Sequence, residues 1–421
     1  MNSSFTLRDR LFFIIWIVYY FYMMLNSIAF AKGSLIAVAM HAVLLIYLCY
    51  YNFIRNDLCN KFFFIYVYLI GLAILIILSS SNMFYSFRNL IKFSEELLCL
   101  SVGFALFRNR ENIDRMLWLL KMMVYMFILN FLLSNLLHFG GSMYVDVEGG
   151  ETGNIEDEGH YLCACCYAFL PILLKYQKRF SLILVFACIF TFVLIVSTMK
   201  RASIACALVP ILVYAFYYSR KYIYRQGRIG VSAKSFFVFL IAIISFSYIL
   251  YSFQGMIEAR YEARLNRFNA GLENEGRTRE FKFIFNDIFL DSDIKTMFVG
   301  KETFNTVGTY ANGRFGKRMI HENYGIMLNG TGVVGLVVYI YINLYIVFIF
   351  LKLKKISDID ENEDAQMLSV TFVCLWIMFL IASFSGTIWN NFYSSIHYAS
   401  SGLILRYFYE HGETFNADYS E

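Results

Sequence analysis

Long apolar runs dominate this chain and leave few folds open to it. Hydrophobic residues make up 59% of its 421 positions, and only 16% are charged, whereas a soluble protein carries about 25% charged residues. A helix needs about 20 apolar residues to cross a bilayer. Lipid admits only helices and closed barrels, because it cannot satisfy exposed backbone groups. Runs this long and continuous predict an all-α protein that crosses a membrane many times.

The apolar runs predict about twelve transmembrane helices. The fourth run is unusual because it contains Lys92, Glu95 and Glu96, and ionisable groups inside a membrane indicate a functional role. The first run is long and lacks a small-residue cleavage site, so we expect a span there and no cleaved signal peptide. The predicted spans are 11–30, 34–54, 62–80, 90–107, 116–138, 160–175, 181–199, 202–219, 235–253, 324–351, 366–387 and 390–408.

Positive charge predicts how these spans are oriented. With twelve spans, both termini lie on the same side of the membrane. The short loops and ends on that side hold 19 Lys and Arg residues, against five on the other side. Because Lys and Arg accumulate in cytoplasmic loops, we expect cytoplasmic termini. The loops 139–159 and 254–322 then face outward. The chain divides into helices one to nine (1–253), a large outer loop (254–322), and three further helices with a cytoplasmic tail (323–421).

The large outer loop is the most probable place for polar chemistry in a chain of this kind. Between Gly255 and Glu322 the apolar rhythm stops, and the stretch holds eleven Lys and Arg residues. Charged groups are costly inside lipid, so a site for a charged substrate belongs at the membrane edge. His321 lies at the end of the loop, where the next apolar run begins. It is a candidate base near neutral pH, or an interfacial His that only reaches toward water.

The residues after this His carry a resemblance to a known family. His321, Glu322, Gly332 and Gly335 match a spacing of His, a polar residue, nine residues, Gly, two residues and Gly. This pattern resembles the signature of the O-antigen ligase and O-antigen polymerase (Wzy) superfamily of bacterial membrane proteins. The ligase pattern usually has Asn, Ser or Gln where this chain has Glu322, which favours the polymerase branch. The glycines also permit close backbone approach or helix packing.

Two further segments resemble the same superfamily. The turn 198–203 is similar to its Ser-Arg-Gly/Ala turn, with Lys200 in place of the Ser, and it contains Arg201. An outward Arg at the membrane edge is a candidate anion ligand, or a headgroup anchor. The segment 276–281 resembles the Gly-Arg start of the outer-loop helix and contains Arg277 and Arg279. The alternative for these two arginines is a solvated helix face.

A third group of arginines stands apart from the resemblance. Arg260, Arg264 and Arg267 have the spacing of one helix face. Guanidinium groups bind phosphate oxygens through two parallel hydrogen bonds, so this face is a candidate pyrophosphate cradle. Because acids such as Glu262 are interspersed, a solvated mixed-charge helix is the alternative.

The resemblance implies a GT-C-like fold and a glycosyltransferase in the bacterial inner membrane, with its site facing the periplasm. Its substrates would be undecaprenyl-pyrophosphate-linked oligosaccharides, and a growing glycan would move from one lipid carrier onto an incoming repeat unit. His321 would be the base, oriented by Glu322. Diphosphate ligands would be Arg201, Arg277, Arg279 and the face of Arg260, Arg264 and Arg267.

The same resemblance implies partners and leaves alternatives open. We expect contact with membrane lipid, a chain-length regulator and a flippase, and no nucleic acid, because the net charge of +5 reflects the cytoplasmic bias and the basic loop. No cofactor is required, and no metal is expected, since several Arg residues can hold the leaving group. The alternatives are an O-antigen ligase and, in another class, a flippase for lipid-linked oligosaccharides.

Two metal-like motifs have simpler explanations. Cys163, Cys165 and Cys166 lie in an apolar run without a second cluster, where Cys behaves as a small hydrophobic residue. The acids of Asp291-Ser292-Asp293 have the spacing that binds a metal and a nucleotide sugar in many glycosyltransferases. Nucleotide sugars are cytoplasmic, whereas this segment is predicted outside, so we expect a loop turn there.

Overall fold

A computed structural model describes residues 45–50, 62–106, 110–135, 157–176, 181–197, 200–226, 276–305, 322–357, 362–385 and 392–418, with a few isolated positions elsewhere. About 92% of the described residues are helical and none of them lies in a strand. The all-α prediction is therefore confirmed for this part of the chain.

Eleven helices are described, numbered here in chain order. They are α1 (Phe63–Ser79), α2 (Met83–Leu106), α3 (Arg110–Asn135), α4 (Asp157–Tyr176), α5 (Ser181–Ser197), α6 (Arg201–Gln226), α7 (Gly276–Phe289), α8 (Ile294–Val299), α9 (Asn323–Ser357), α10 (Glu363–Ser385) and α11 (Phe392–Asp418). Helices α1–α6 and α9–α11 coincide with nine of the predicted spans, while α7 and α8 belong to the predicted outer loop. The predicted spans 11–30, 34–54 and 235–253 lie wholly or largely outside the described residues.

Three of these helices are long and apolar enough to cross a membrane. They are Arg201–Ser219 of α6, Asn323–Ser357 of α9 and Glu363–Phe384 of α10. Among the described residues, Phe63–Ser79 and Leu182–Ser197 form shorter apolar helices. The fold is therefore that of a helical membrane protein, and the number of twelve spans stays a prediction.

Helix α2 begins seven residues before the predicted span, at Met83. Asn82 caps it, because the Asn82 side chain accepts a hydrogen bond from the Tyr85 backbone N–H at 3.1 Å. Polar Ser86 and Asn89 are thus helical and buried. A polar cap determines where this helix starts, and hydropathy does not detect it. Likewise α11 continues past residue 408 to Asp418, so much of the predicted tail is helical.

Helices α2 and α11 pack with their backbones in close contact at two glycines. A Cβ on Gly103 would lie 2.3 Å from the Ala399 carbonyl oxygen, and one on Gly402 would lie 2.2 Å from the Leu100 carbonyl oxygen. Only glycine fits at both places. Small residues let membrane helices approach in this way, which gains van der Waals contact without a hydrophobic driving force.

Helices α6 and α10 run antiparallel and pack against α4. The Cys206 thiol lies 3.4 Å from the Met378 carbonyl oxygen, and the Tyr214 hydroxyl donates to the Met367 carbonyl oxygen at 3.1 Å. The Thr371 hydroxyl donates to the Ala168 carbonyl oxygen of α4 at 2.9 Å. These bonds fix the register of the two helices, so that the first turn of α6 lies beside the last turn of α10.

The two ends of the bundle differ in character. At one end Lys175 of α4 pairs with Glu363 and Asp364 of α10, at 3.1 and 2.6 Å. This is the end predicted to be cytoplasmic. The opposite end carries α7, α8 and the starts of α2, α6 and α9, and we call it the loop end. Every predicted site residue that the structure describes lies at the loop end.

Candidate functional site

A break in α9 organises the loop end. Gly332 has φ 61° and ψ −164° in the middle of the helix. A Cβ there would lie 2.5 Å from both the carbonyl carbon and the oxygen of Phe298, and 2.6 Å from the Gly300 nitrogen. Only glycine combines a positive φ with room for so close a backbone. The predicted close approach at this glycine is confirmed, and its neighbour is the end of α8.

The break leaves backbone carbonyls of α9 without their helical partners, and the outer segment supplies replacements. The Lys301 backbone N–H donates to the Asn329 carbonyl oxygen at 2.8 Å. The Thr303 hydroxyl donates to the Gly330 carbonyl oxygen at 2.8 Å. A buried carbonyl without a hydrogen-bond partner would destabilise the fold. Segment 300–305 is therefore bonded directly into the broken helix.

The same segment is held from its other side by the turn between α1 and α2. Glu302 accepts a hydrogen bond from the Ser81 hydroxyl at 2.9 Å and one from the Asn305 side-chain amide at 2.6 Å. The Asn89 side chain donates to the Phe304 carbonyl oxygen at 2.9 Å. Segments 79–89, 300–305 and 329–332 together form one polar junction, which we call the docking junction.

Helix α7 packs on the first turn of α9. A Cβ on Gly325 would lie 3.2 Å from the Ile284 side chain, so the two helices are in direct contact there. Glu280, one turn before Ile284, is fully buried, and Glu322, just before α9, is only 9% exposed. Two buried carboxylates therefore lie on the two elements that meet at this point.

Of the predicted site residues in this region, the structure describes only some. Glu322 and Arg279 are described, and Arg279 is exposed in the first turn of α7. The backbone of Arg277 belongs to that same first turn. His321, together with the predicted cradle of Arg260, Arg264 and Arg267, lies outside the described residues.

Arg201 is the first residue of α6 and is exposed. Two residues later the buried Ser203 hydroxyl lies 3.1 Å from the Nδ1 atom of His160 in α4. His160 is fully buried and its ring meets that of Phe127 edge-on, with 5.6 Å between centroids. The contact between His160 and Ser203 joins α4 to the Arg201 turn, and no sequence pattern pairs these two residues.

The Arg201 turn and the start of α9 lie on either side of the last turn of α10. The register of α6 against α10 brings Arg201 to the carboxyl end of α10. On the other side, the rings of Tyr324 and Phe384 lie 4.6 Å apart. Arg201 and Glu322, which are 121 positions apart in the chain, are thereby brought to a common end of the bundle around one helix terminus.

A buried polar group between α2, α9 and α11 was only partly visible in the sequence. Glu95 and Glu96 of α2 are 3% and 5% exposed. The Tyr398 hydroxyl donates to the Asn343 side chain at 2.8 Å. Apart from this group, His397 of α11 is fully buried against the rings of Phe379 and Trp376 of α10, 4.4 and 4.8 Å away between centroids, and neither of its ring nitrogens has a hydrogen-bond partner among the described residues. The charges in the fourth apolar run indicated the two acids, whereas nothing in the sequence distinguished His397.

The part of the chain that the structure describes contains no cluster of three or more His, Cys, Asp or Glu side chains able to hold a metal ion. No family model matches this sequence, and no curated protein sequence matches it. The resemblance to the O-antigen superfamily therefore rests on three short segments, around His321, Arg201 and Arg277.

Proposed function

We propose that this protein is a membrane glycosyltransferase of the O-antigen polymerase type. It would transfer a growing glycan from undecaprenyl pyrophosphate onto an incoming lipid-linked repeat unit. The observation that supports this most is at Gly332. The glycine whose spacing from His321 carries the resemblance lies in close contact with the end of α8, two residues after the Gly330 carbonyl that Thr303 bonds. The backbone at Gly332 requires glycine, which explains physically why the motif has a glycine at that position.

The proposed reaction needs a base and a clamp for the leaving group. A sugar hydroxyl of the incoming unit attacks the anomeric carbon of the growing chain. The new bond from carbon to oxygen forms as the bond from that carbon to the diphosphate oxygen breaks. His321 takes the hydroxyl proton and Glu322 orients the imidazole. A positioned base of this kind contributes about 10²–10⁴ in rate.

The leaving diphosphate would be held by arginines. Arg201 and Arg279 are exposed at helix starts of the loop end, and Arg277 lies in the same turn as Arg279. Fixed guanidinium groups aimed at developing charge stabilise the transition state. The predicted face of Arg260, Arg264 and Arg267 would add to the clamp. In this proposal several arginines together do the work that a divalent cation does in other glycosyl transfers.

The proposed setting is a GT-C-like fold of twelve spans in the bacterial inner membrane, with the loop end facing the periplasm. Two observations support it. The charge bias predicts that residues 80–89, 200–201 and 254–322 share one side. Hydrogen bonds join segment 79–89 to segment 300–305, which is compatible with both segments lying on one side.

Two other functions fit part of the observations. An O-antigen ligase would use the same donor, and Glu322 argues for the polymerase. A flippase for lipid-linked oligosaccharides is favoured by the buried Glu95, Glu96 and His397, since ionisable groups inside a membrane mark ion and proton pathways. A deletion strain separates these functions by its lipopolysaccharide. Single-repeat bands indicate a polymerase, and free core indicates a ligase or a flippase.

Replacing His321 tests the proposed chemistry directly. His321→Gln keeps hydrogen bonding but cannot take up a proton, so we expect the polymerisation rate to fall by about 10²–10⁴. His411→Gln is the matched control, because His411 bonds the Tyr407 carbonyl oxygen in the last part of α11, and it should polymerise normally. The assay is chain-length analysis with purified protein and lipid-linked repeat units. Normal ladders from His321→Gln would assign the imidazole a binding role and move the base to Glu322 or Glu280.

A further inference from the structure

Helix α7 carries apolar residues on two strips of its surface, one buried and one exposed. Ile284 and Ile288 are buried against the rest of the protein. On the adjacent strip of the helix surface Phe281, Phe285 and Phe289 follow one another at intervals of four residues and are 40%, 44% and 37% exposed. An amphipathic helix on a water-covered surface would carry polar residues at these positions. Three phenylalanines in line instead require an apolar environment outside the protein.

The apolar surface does not stop at the end of α7. Leu290 and Ile294 are 71% and 75% exposed, and Phe298 of α8 is 45% exposed. In the chain, these exposed side chains follow the row of phenylalanines through the turn and into α8. We call the six residues the aromatic stripe. Contiguous exposed apolar surface of this kind marks a place where a protein meets a partner or a membrane.

A basic edge borders the aromatic stripe. At 3.6 residues per turn, Lys282 and Arg279 lie on the side of the stripe away from Ile284, and both are exposed. Lys295 is exposed in α8 beside Ile294. Helices that lie in the plane of a membrane interface combine these features: a bulky apolar face inserts between the acyl chains, and Lys or Arg beside it meets the lipid phosphates.

The exposure of α9 along its length indicates where its lipid-facing surface begins. The residues of α9 up to Gly332 are covered by protein, and strong exposure begins with Val334 at 53% and Val337 at 56%. The part of α9 from residue 333 to 357 is roughly 37 Å long at 1.5 Å per residue, which exceeds the hydrocarbon core of about 30 Å. Helix α8 packs on α9 at Gly332, just before the exposed surface of α9 begins, and α7 packs at Gly325, about 10 Å nearer the start of α9. The aromatic stripe therefore lies beside the end of the exposed apolar surface of α9.

We infer that α7 and α8 lie in the membrane interface, with the aromatic stripe inserted into the near leaflet and Lys282, Arg279 and Lys295 toward its phosphates. The occupant of the stripe is the lipid surface. Continuity with the exposed apolar face of α9 and the adjacent basic edge both favour lipid over a protein partner. The inference requires a membrane-embedded bundle and does not depend on the proposed glycosyl transfer.

The experiment measures which quencher reaches the stripe in the full-length protein, reconstituted in nanodiscs of phosphatidylcholine and phosphatidylglycerol. A fluorescent amino acid is placed at Phe285 and, in a second variant, at Phe289. Tyr341, 60% exposed on α9, is the lipid-facing control, and Glu363, at the opposite end of the bundle with a side chain 57% exposed, is the water-facing control. Quenching by nitroxide-labelled lipid is compared with quenching by iodide in solution.

We expect both stripe positions to resemble Tyr341, with lipid quenching several-fold stronger than at Glu363 and with protection from iodide. A label high on the acyl chain should quench the stripe better than one near the bilayer centre. Iodide quenching equal to that at Glu363 would overturn the inference, because the stripe would then face water. Protection from both quenchers would also overturn it, since a second copy or another protein would then cover the stripe.

Discussion

Substitutions at Arg201 can show whether this residue binds phosphate specifically or acts only as a positive charge. A guanidinium binds a diphosphate through two parallel hydrogen bonds, which the ammonium of Lys cannot reproduce. We therefore expect Arg201→Ala to abolish long chains at normal protein levels, and Arg201→Lys to restore only part of the activity. Chain-length analysis of the lipid-linked product provides the measurement.

The neighbouring Lys200 offers a matched control for this prediction. It is half-buried just before α6, next to Arg201, and Lys200→Ala also removes one positive charge from the same turn. That variant should keep most of its activity if geometry at Arg201 matters. Equal losses in Lys200→Ala and Arg201→Ala would show that the turn acts only through its charge, as a headgroup anchor would.

Asp293 shows what the acids of Asp291-Ser292-Asp293 do in the fold. Asp293 caps α8, where its carboxylate accepts the Thr296 backbone N–H at 2.9 Å. Ser292 donates its hydroxyl to the Asp287 carbonyl oxygen at 2.6 Å. Both side chains build the turn between α7 and α8, so the expected loop turn is confirmed.

The cap makes the order of α8 sensitive to acid. Hydrogen bonds from the side chain and then the backbone of Thr296 lower the pKa of Asp293 below its ordinary value of 3.8. A lowered pKa in the folded state means that the contribution to stability is complete above 3.8 and is lost as the pH falls through the lowered value. We expect the hydrogen-exchange protection of 294–299, measured relative to the intrinsic rate at each pH, to fall over that range. Asp293→Asn, which caps without a charge, should show no such change relative to its own value at higher pH.

Among the helices, α9 makes the strongest prediction, because its break requires glycine. Gly332→Ala must hold a non-glycine residue at positive φ and also push the Phe298 backbone away. These two effects cost about 1–2 and about 1–3 kcal/mol, so we expect a clear fall in the unfolding temperature in detergent. Protease sensitivity in 294–305 should rise as well, since that segment bonds into α9 at this point.

Gly71 of α1 is the matched control for this substitution. Nothing lies within 4 Å of a Cβ added there, and Ala is the better helix former, so Gly71→Ala should leave the unfolding temperature unchanged or slightly higher. If Gly332→Ala unfolds at the same temperature as Gly71→Ala, the close contact between α8 and α9 is not required for stability.

The helices also show which helix bounds can be predicted from hydropathy. It located α1 and α5 to within two residues at both ends, because their apolar runs end where their helices end, whereas α9 continues six residues past its predicted span. It misplaced the start of α2, where Asn82 caps the helix and polar residues follow inside it. Hydropathy could not predict the docking junction, because Lys301 and Thr303 bond to backbone carbonyls of α9. Such carbonyls exist at every position, so sequence does not reveal which of them a break leaves available.

For the whole molecule, the sequence predicts the arrangement better than it predicts the site. The glycines after His321 were identified from spacing, and the arginines at helix starts from the resemblance of two short segments. The structure gathers Arg201, Arg279 and Glu322 at one end of the bundle. What joins them is long-range packing. His160 meets Ser203 across 43 positions, and Ser81 meets Glu302 across 221. Contacts of this kind depend on how the helices assemble, which no local pattern records.

The same long-range contacts make the topology testable as a unit. Because Ser81 bonds to Glu302, segments 79–89 and 300–305 must lie on one side of the membrane. The contact of His160 with Ser203 places segments 157–160 and 200–203 together. The register of α6 on α10 and the contact between Tyr324 and Phe384 place that second pair at the same end of the bundle as the first. The Lys175 pair with Glu363 requires residues 175 and 363 to lie together on the other side. Alkaline phosphatase fused after Asn82, Lys200 or Asn305 should therefore be active, and fusions after Gly227 or Asn362 should be inactive.

Green fluorescent protein fused at the same positions provides the reciprocal control, because it fluoresces only in the cytoplasm. A complete inversion of the pattern would keep the fold but turn the loop end to the cytoplasm, where a periplasmic lipid-pyrophosphate donor cannot reach Arg201. A split result, with the fusions after Asn82 and Asn305 on opposite sides, would contradict the docking junction itself. The fusion series therefore tests the orientation and the packing separately.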